Sequence, residues 1–263
     1  MPRITFLMYH ELELAGRKLC QSEPGYVRYI LPLETFRSQM EWLKQSGFRS
    51  LSVSEALCFP AERIPAEPGV CITFDDGCET DLIAAAPLLR EFGFHATFYL
   101  TAGFLGSSGY LSAEQVRALD AQGFEIGCHS MTHAYLSDLA EKDLQREIVD
   151  AKTKIEQILG HAIEHLSCPG GRYNQRTLAM ARHAGFKTVA NSEFHANDSA
   201  TSTYKLGRIA MLRDLSLAQF GTICHGRGLW KKRLQHQTRH SVQRLLGNRA
   251  YDRLRAILLR ESS

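Results

Sequence analysis

The residues best able to do chemistry fall in two short clusters. The first is Asp75-Asp76-Gly77, which directly follows the apolar run 69–74. Adjacent carboxylates at a strand end point in different directions, because side chains alternate along an extended chain, so one could ligate a metal while the other faces a bound water. A plain Asp-Gly turn would use the same residues only to reverse the chain. The second cluster is Cys128-His129-Ser130-Met131-Thr132-His133, after the short apolar run 124–127. Histidines four apart share one face if a helical turn carries them. A solvated histidine pair has the same spacing. Together, one carboxylate and two histidines form a ligand set for catalytic zinc, with a position left for water. The metal lowers that water's pKa to ~7, and a second carboxylate could then take its proton.

Those clusters need elements to position them, and the pattern of the chain supplies alternating strands and helices. Strands are expected at 4–8, 69–74, 94–100, 124–127, 163–167, 187–190 and 206–210. Helices are expected at 33–46, 52–57, 80–92, 112–122, 138–159, 175–183 and 215–224. Ser112 with Gln115 reads as a capping box, Asp138 with Glu141 opens the long amphipathic helix, and Gly47, Gly93 and Gly160 stand at helix ends. Strands separated by helical segments of this length imply βα units and a largely parallel sheet. In such folds the chemistry gathers just after strands, where both clusters lie. The expected fold is α/β: a distorted (β/α) barrel of about seven strands, with room for incomplete closure. It would span residues 1–226, and a basic helical tail would follow at 227–263.

Thr73-Phe74-Asp75-Asp76-Gly77 and His129-Ser130-Met131-Thr132-His133 resemble the first two motifs of the polysaccharide deacetylases, the NodB-homology or carbohydrate esterase family 4. Leu7-Met8-Tyr9-His10-Glu11 is similar to an opening seen in that family, and Phe94-His95-Ala96-Thr97-Phe98-Tyr99-Leu100 to its next strand. The resemblance runs over roughly residues 1–225. It implies a distorted (β/α) barrel and removal of N- or O-acetyl groups from sugars with a divalent metal, commonly zinc. It also implies Asp75 as general base, and Asp76, His129 and His133 as metal ligands.

Elsewhere the chain departs from the family pattern. The usual Arg-x-Pro-Tyr-Gly is represented by Ser167-Cys168-Pro169-Gly170-Gly171-Arg172, with Ser167 where the arginine usually stands. Arg172 could supply the orienting cation from the loop, and the Gly170 N–H could serve as an oxyanion donor. Arg208 could bind a substrate anion or hold Asp75. Tyr173 and His10 are expected to contact substrate. No fourth motif is recognisable around Asn191-Ser192-Glu193. Near Leu206-Gly207-Arg208-Ile209-Ala210-Met211 there is no Leu-x-His to provide the general acid, which leaves His195 and His225 as candidates.

Composition bounds the remaining possibilities. The 263 residues are 44% hydrophobic and 22% charged, enough apolar material for a sizeable core and incompatible with disorder as the default. No apolar run approaches the ~20 residues that cross a bilayer. The first ten residues read as a strand and not as a signal peptide. Seven cysteines without a C-x-x-C pair read as reduced, mostly buried thiols of a cytosolic protein. From Arg227 onward there are ten Lys/Arg against two Asp/Glu, and Val242, Leu246, Ala250, Leu254 and Leu258 recur every fourth residue. This basic amphipathic helix suits either packing on the barrel or docking to the anionic inner face of a membrane. Nucleic acid is not an expected partner, because no reading helix or stacking platform accompanies the charge.

The reading is therefore a cytoplasmic zinc-dependent (or other divalent-metal) deacetylase of N-acetylated sugars, with a polysaccharide or a lipid- or nucleotide-linked glycan as substrate. The alternatives are a metal-free, glycan-binding relative and an amidase acting on a non-sugar amide.

Overall fold

The protein is described by a computed structural model covering residues 3–57 and 68–228. Ten strands are laid down in chain order: β1 (Thr5–Tyr9), β2 (Leu12–Glu13), β3 (Leu31–Pro32), β4 (Arg49–Leu51), β5 (Gly69–Asp76), β6 (Thr97–Leu100), β7 (Glu125–Cys128), β8 (His165–Ser167), β9 (Thr188–Ala190) and β10 (Ile209–Ala210). The main sheet runs β10-β1-β5-β6-β7-β8-β9, with β4 beside the start of β5, and its strand pairings are parallel. Leu206 bridges Ala190 of β9, and Ile209 and Ala210 pair with Leu7 and Met8 of β1. The segment 206–210 thus draws the two edges of the curled sheet together over very few residues. The result is a distorted, incompletely closed (β/α) barrel.

Alternation along β5 sorts its residues into two environments. Ile72 and Phe74 belong to the outer core between sheet and helices, where Phe74 stacks on Phe98 and Tyr9 at centroid distances of 5.1 and 5.2 Å. Cys71 joins Phe6, Val53, Tyr99, Ala190 and Leu206 in the smaller inner cluster. Thr73 and Asp75 continue that inner face. The polar contents of the barrel therefore follow from strand register. At its other end Glu125 accepts from the backbone N–H groups of Val53 and Ser54 and from Thr97 Oγ1, and lies 3.2 Å from His165 Nε2.

Most expected elements appear, shifted by a few residues. The capping box at Ser112 and Gln115 opens Ala113–Ala121, and the helix Gln175–His183 has the expected limits. The helix expected at 138–159 starts later, at Glu141, because Leu136–Asp138 forms a separate 3₁₀ turn; a π-helical stretch, Arg146–Asp150, interrupts it. A second π stretch, Asp81–Ala85, opens the helix that follows β5. The β2–β3 ribbon carried no sequence signal, since two-residue strands are too short to show a period. Six of the cysteines lie in the described part, none in a disulfide. The tail falls outside the described residues from 229 onward.

Candidate active site

Asp75 lies at the inner face of β5, 2% exposed. Arg208 grips it with two parallel hydrogen bonds, Nη1 to Oδ1 and Nη2 to Oδ2, both 2.7 Å. The guanidinium is fully buried, and its other N–H groups donate to Ser167 Oγ (2.6 Å), Thr73 Oγ1 (3.2 Å) and the Asn191 carbonyl (3.2 Å). Ser167 stands where the family pattern has arginine, and the space so left is filled by the guanidinium of Arg208, arriving from the barrel interior. The cation paired with Asp75 is therefore Arg208 and not Arg172. Arg172 instead sits over the Tyr135 ring, 3.7 Å from its centroid. Burial alone would raise the Asp75 carboxyl, but the charges of Arg208 and His129 outweigh it and hold the group well below the usual carboxylate range.

Asp76 points toward the same space. By simple alternation it should face away from Asp75, but its φ of 79° turns the chain back. Among the described residues only Asp76, Ser130 and His133 have positive φ without being glycine. Each costs of order 1–3 kcal/mol, and such strain collects where function over-determines the backbone. The helical turn expected between the histidines is absent: residues 129–133 form an irregular loop, with Ser130 at φ 69° and His133 at φ 61°. The loop brings both imidazoles to Asp76 by another route. Ser130 Oγ accepts from the His133 N–H (3.0 Å), and the Ala102 N–H donates to the Ser130 carbonyl. Gly103 donates to the Met131 carbonyl at 2.7 Å, where a Cβ would come within 2.4 Å of that oxygen.

The donor atoms converge. His129 Nε2 is 3.6 Å from Asp76 Oδ1, and His133 Nε2 is 3.4 Å from it. These distances exceed hydrogen bonds but match the ~3.3 Å separation of neighbouring donors around a tetrahedral zinc. Asp76 Oδ1 is buried without a hydrogen-bond partner, while Oδ2 accepts from Tyr26 (3.1 Å). His129 Nδ1 lies 2.9 Å from the Ser167 carbonyl, an acceptor only, so Nδ1 carries the proton and Nε2 presents its lone pair. Asp76, His129 and His133 thus fit a divalent cation. Asp75 Oδ2 is also 3.6 Å from His129 Nε2, but both its oxygens are already committed to Arg208.

Burial lowers the His129 pKa to about 4, against the opposing pull of Asp75, from an ordinary 6.5. Between those values the unfolded chain binds a proton that the folded chain does not, so stability is full above 6.5 and falls as pH drops toward 4. Denaturant unfolding of the metal-free protein should lose about 3 kcal/mol between pH 7 and pH 4 through this residue.

Two supporting residues were not anticipated. Glu147, on the π stretch Arg146–Asp150, accepts from the N–H groups of Met131 and Thr132 (3.0 and 2.8 Å) and from Thr132 Oγ1 (2.6 Å). The available signal was an acid on the apolar stripe defined by Leu144, Ile148 and Ala151. Glu147→Ala should leave those donors unpaired, cost about 1–3 kcal/mol in denaturant unfolding, and weaken metal binding about 10–100-fold in calorimetry. Tyr26, whose hydroxyl orients Asp76, gave no signal at all.

The remaining expected residues are dispersed. Gly170 is exposed at φ 60° on the turn Pro169–Gly171 after β8, with Tyr135 alongside. Tyr173 donates to Glu193 Oε1 at 3.0 Å. His195 is engaged with the Ala196 carbonyl and lies 3.8 Å from Glu193, and His225 packs against Phe48 and Trp42. His10, at the end of β1, faces the site: burial lowers its pKa against the pull of Asp76 and Asp75, and its Nδ1 is buried without a partner.

Residues 62–189 match the family model described as polysaccharide deacetylase. The chain is 29% identical over 220 residues to the YxkH protein of Bacillus subtilis, covering 83% of this chain and 75% of that one. It is 32% identical over 121 residues to the peptidoglycan-N-acetylglucosamine deacetylase of Bacillus cereus, but spans only 54% of that protein and 46% of its own length. Among solved structures, the Streptococcus pyogenes deacetylase PplD in complex with acetate superposes with a TM-score of 0.74 at 24% identity, covering 85% of this chain and 99% of that one. That last likeness bears on the fold alone. The matched region, just under half of the chain, carries both the Asp75–Asp76 and the His129–His133 clusters, and through it the chain resembles the polysaccharide deacetylases.

Proposed function

We propose that this protein is a metal-dependent hydrolase that removes acetyl groups from N-acetylated sugars. The observation that carries the reading is the division of labour between adjacent carboxylates: Asp76 Oδ1 is buried and unpartnered between two imidazoles, whereas Asp75 is fixed and ionised by Arg208. A divalent cation, zinc by its nitrogen–oxygen donor set, would supply Lewis acidity toward the acetyl carbonyl and toward a water.

Asp76, His129 and His133 would hold that cation. Asp75 takes the proton of the attacking water as its oxygen adds to the acetyl carbon. Arg208 keeps Asp75 aimed and charged, at the expense of basicity, so Asp75 can deprotonate only a water already acidified. The proton held by Asp75 is then passed to the nitrogen as the carbon–nitrogen bond breaks, giving acetate and a free amine. The Gly170 amide is the backbone donor proposed for the developing oxyanion.

Acetate release should be measured with chitooligosaccharides, poly-N-acetylglucosamine, UDP-N-acetylglucosamine and lipid-linked acetamido sugars. Release from at least one, abolished by a chelator and restored by zinc, is expected. A metal-loaded, folded protein that releases acetate from none of them would refute the reading. From sequence alone we further propose a cytoplasmic location, with residues 227–263 docking on an anionic leaflet. Co-sedimentation with anionic vesicles should disappear when that segment is deleted.

A further inference from the structure

Beside the site described above lies a second group of donors that the deacetylase chemistry does not use. Glu11, the last residue of the Tyr9-His10-Glu11 run, is 1% exposed, and both its carboxylate oxygens lie 3.0 Å from the Cys20 N–H. The Cys20 thiol rests on the Gly109 carbonyl at 3.1 Å, in a space open only because residue 109 is glycine: a Cβ there would come within 2.8 Å of the sulfur. Cys78, fully buried, follows Asp76 by two residues. One carboxylate oxygen of Glu11 and the two sulfurs lie within 4.8 Å of one another.

An independent observation points to a ligand. Asp81, fully buried on the π stretch that opens the next helix, has both carboxylate oxygens without a hydrogen-bond partner. The Asp81 N–H donates to the Cys78 carbonyl at 3.0 Å, which sets this carboxylate-bearing residue directly beside the group. Arg17, the cation whose charge reaches Glu11, is already tied to Glu79 at 2.6 Å. Two carboxylates and two thiols thus lie close together, and among the described residues neither carboxylate has an ion-pair partner. Unsatisfied buried polar atoms of this kind call for a water or an ion. A π stretch in the supporting helix is itself a frequent companion of functional sites.

We propose that Glu11, Cys20 and Cys78, backed by Asp81, form a second metal site, selective for a soft or borderline divalent ion such as zinc. Two thiolates and a carboxylate suit such an ion, whereas the Asp76-His129-His133 set offers only nitrogen and oxygen. The two sets are joined by the Tyr26 hydroxyl, which lies 3.1 Å from Asp76 Oδ2 and 3.9 Å from Cys78 Sγ. Occupancy of the second would fix the 11–26 segment that carries Tyr26, and through it the carboxylate of the first. The proposal does not depend on the deacetylase reading.

The test is a titration of the reduced, metal-free, full-length protein with Cd2+, followed by thiolate-to-cadmium absorption in the ultraviolet and by bound metal. Two equivalents should bind, of which one carries the absorption band. Cys20→Ser should lose that equivalent and its band while keeping the other. His133→Ala should do the reverse. A reading without any variant is available because Cys20 is only half buried: cadmium should block its alkylation by iodoacetamide in the wild-type protein. A wild-type protein without the band, a band undiminished in Cys20→Ser, or Cys20 alkylation indifferent to cadmium would each overturn the proposal.

Discussion

Replacing Asp75 with asparagine should lower kcat about 10²–10⁴-fold, the range spanned by a positioned general base, while bound metal and KM stay close to wild type. The amide is nearly isosteric, and Asp76, His129 and His133 are untouched, so the donor set survives. What is lost is the capacity to accept a proton. Stability should fall as well. Arg208 is fully buried, and an asparagine can accept only one of its two N–H groups and turns a donor toward the other. Assays at a temperature where the variant is folded, checked by circular dichroism, separate the two effects. Loss of metal together with activity would mean that Asp75 and Asp76 have exchanged roles.

Arg208→Met is expected to have the largest effect on stability, about 3–5 kcal/mol in denaturant unfolding, because it strands the Asp75 carboxylate in the interior. It also makes a prediction about pH that a merely structural arginine would not. In the wild type the ion pair keeps Asp75 ionised far below neutrality. Without the guanidinium, burial is the dominant influence and raises the Asp75 pKa. The acid limb of kcat/KM should therefore move to higher pH, with activity lost at pH 6 and partly regained toward pH 9. Arg208→Lys restores the charge without the fork, so it should recover the pH profile better than the rate. The double variant with Asp75→Asn should be more stable than the sum of the single losses predicts, since neither charge is left alone.

The contrast between these two residues shows what the sequence could carry. Asp75 and Asp76 were legible because one strand delivers both, and His129 and His133 because one loop does; local spacing is written directly in the chain. The Asp75–Arg208 contact joins residues 133 apart, and it exists only because β10 closes against β1 and β1 lies beside β5. Local spacing does not announce it, although holding Asp75 was one of the two roles open to Arg208 in the sequence. The available hint was a subtraction: Ser167 occupies the family's arginine position, so a cation had to come from elsewhere, and Arg208 is flanked by Leu206, Ile209 and Met211 in a segment otherwise fit for burial. Arg172, nearer in sequence to Ser167, was the more natural substitute and has a different place, over Tyr135. The histidine spacing led to a helical turn that is not there. Positive φ at Ser130 and His133, held by Glu147 and permitted by Gly103, does the work instead, and those partners come from distant elements. Helix limits followed from caps where the caps were local, as at Ser112. They shifted where a 3₁₀ turn intervened, as at Leu136–Asp138.

Zinc calorimetry on three proteins in a Cys20→Ser background, which leaves only the histidine-bearing set to read, tests the arrangement most directly. Retained binding in the parent and in Asp75→Asn, with binding lost in His133→Ala, is the predicted result. Zinc bound equally well after His133→Ala, or released by Asp75→Asn, would contradict the assignment of Asp76, His129 and His133 to the ion and of Asp75 to the water.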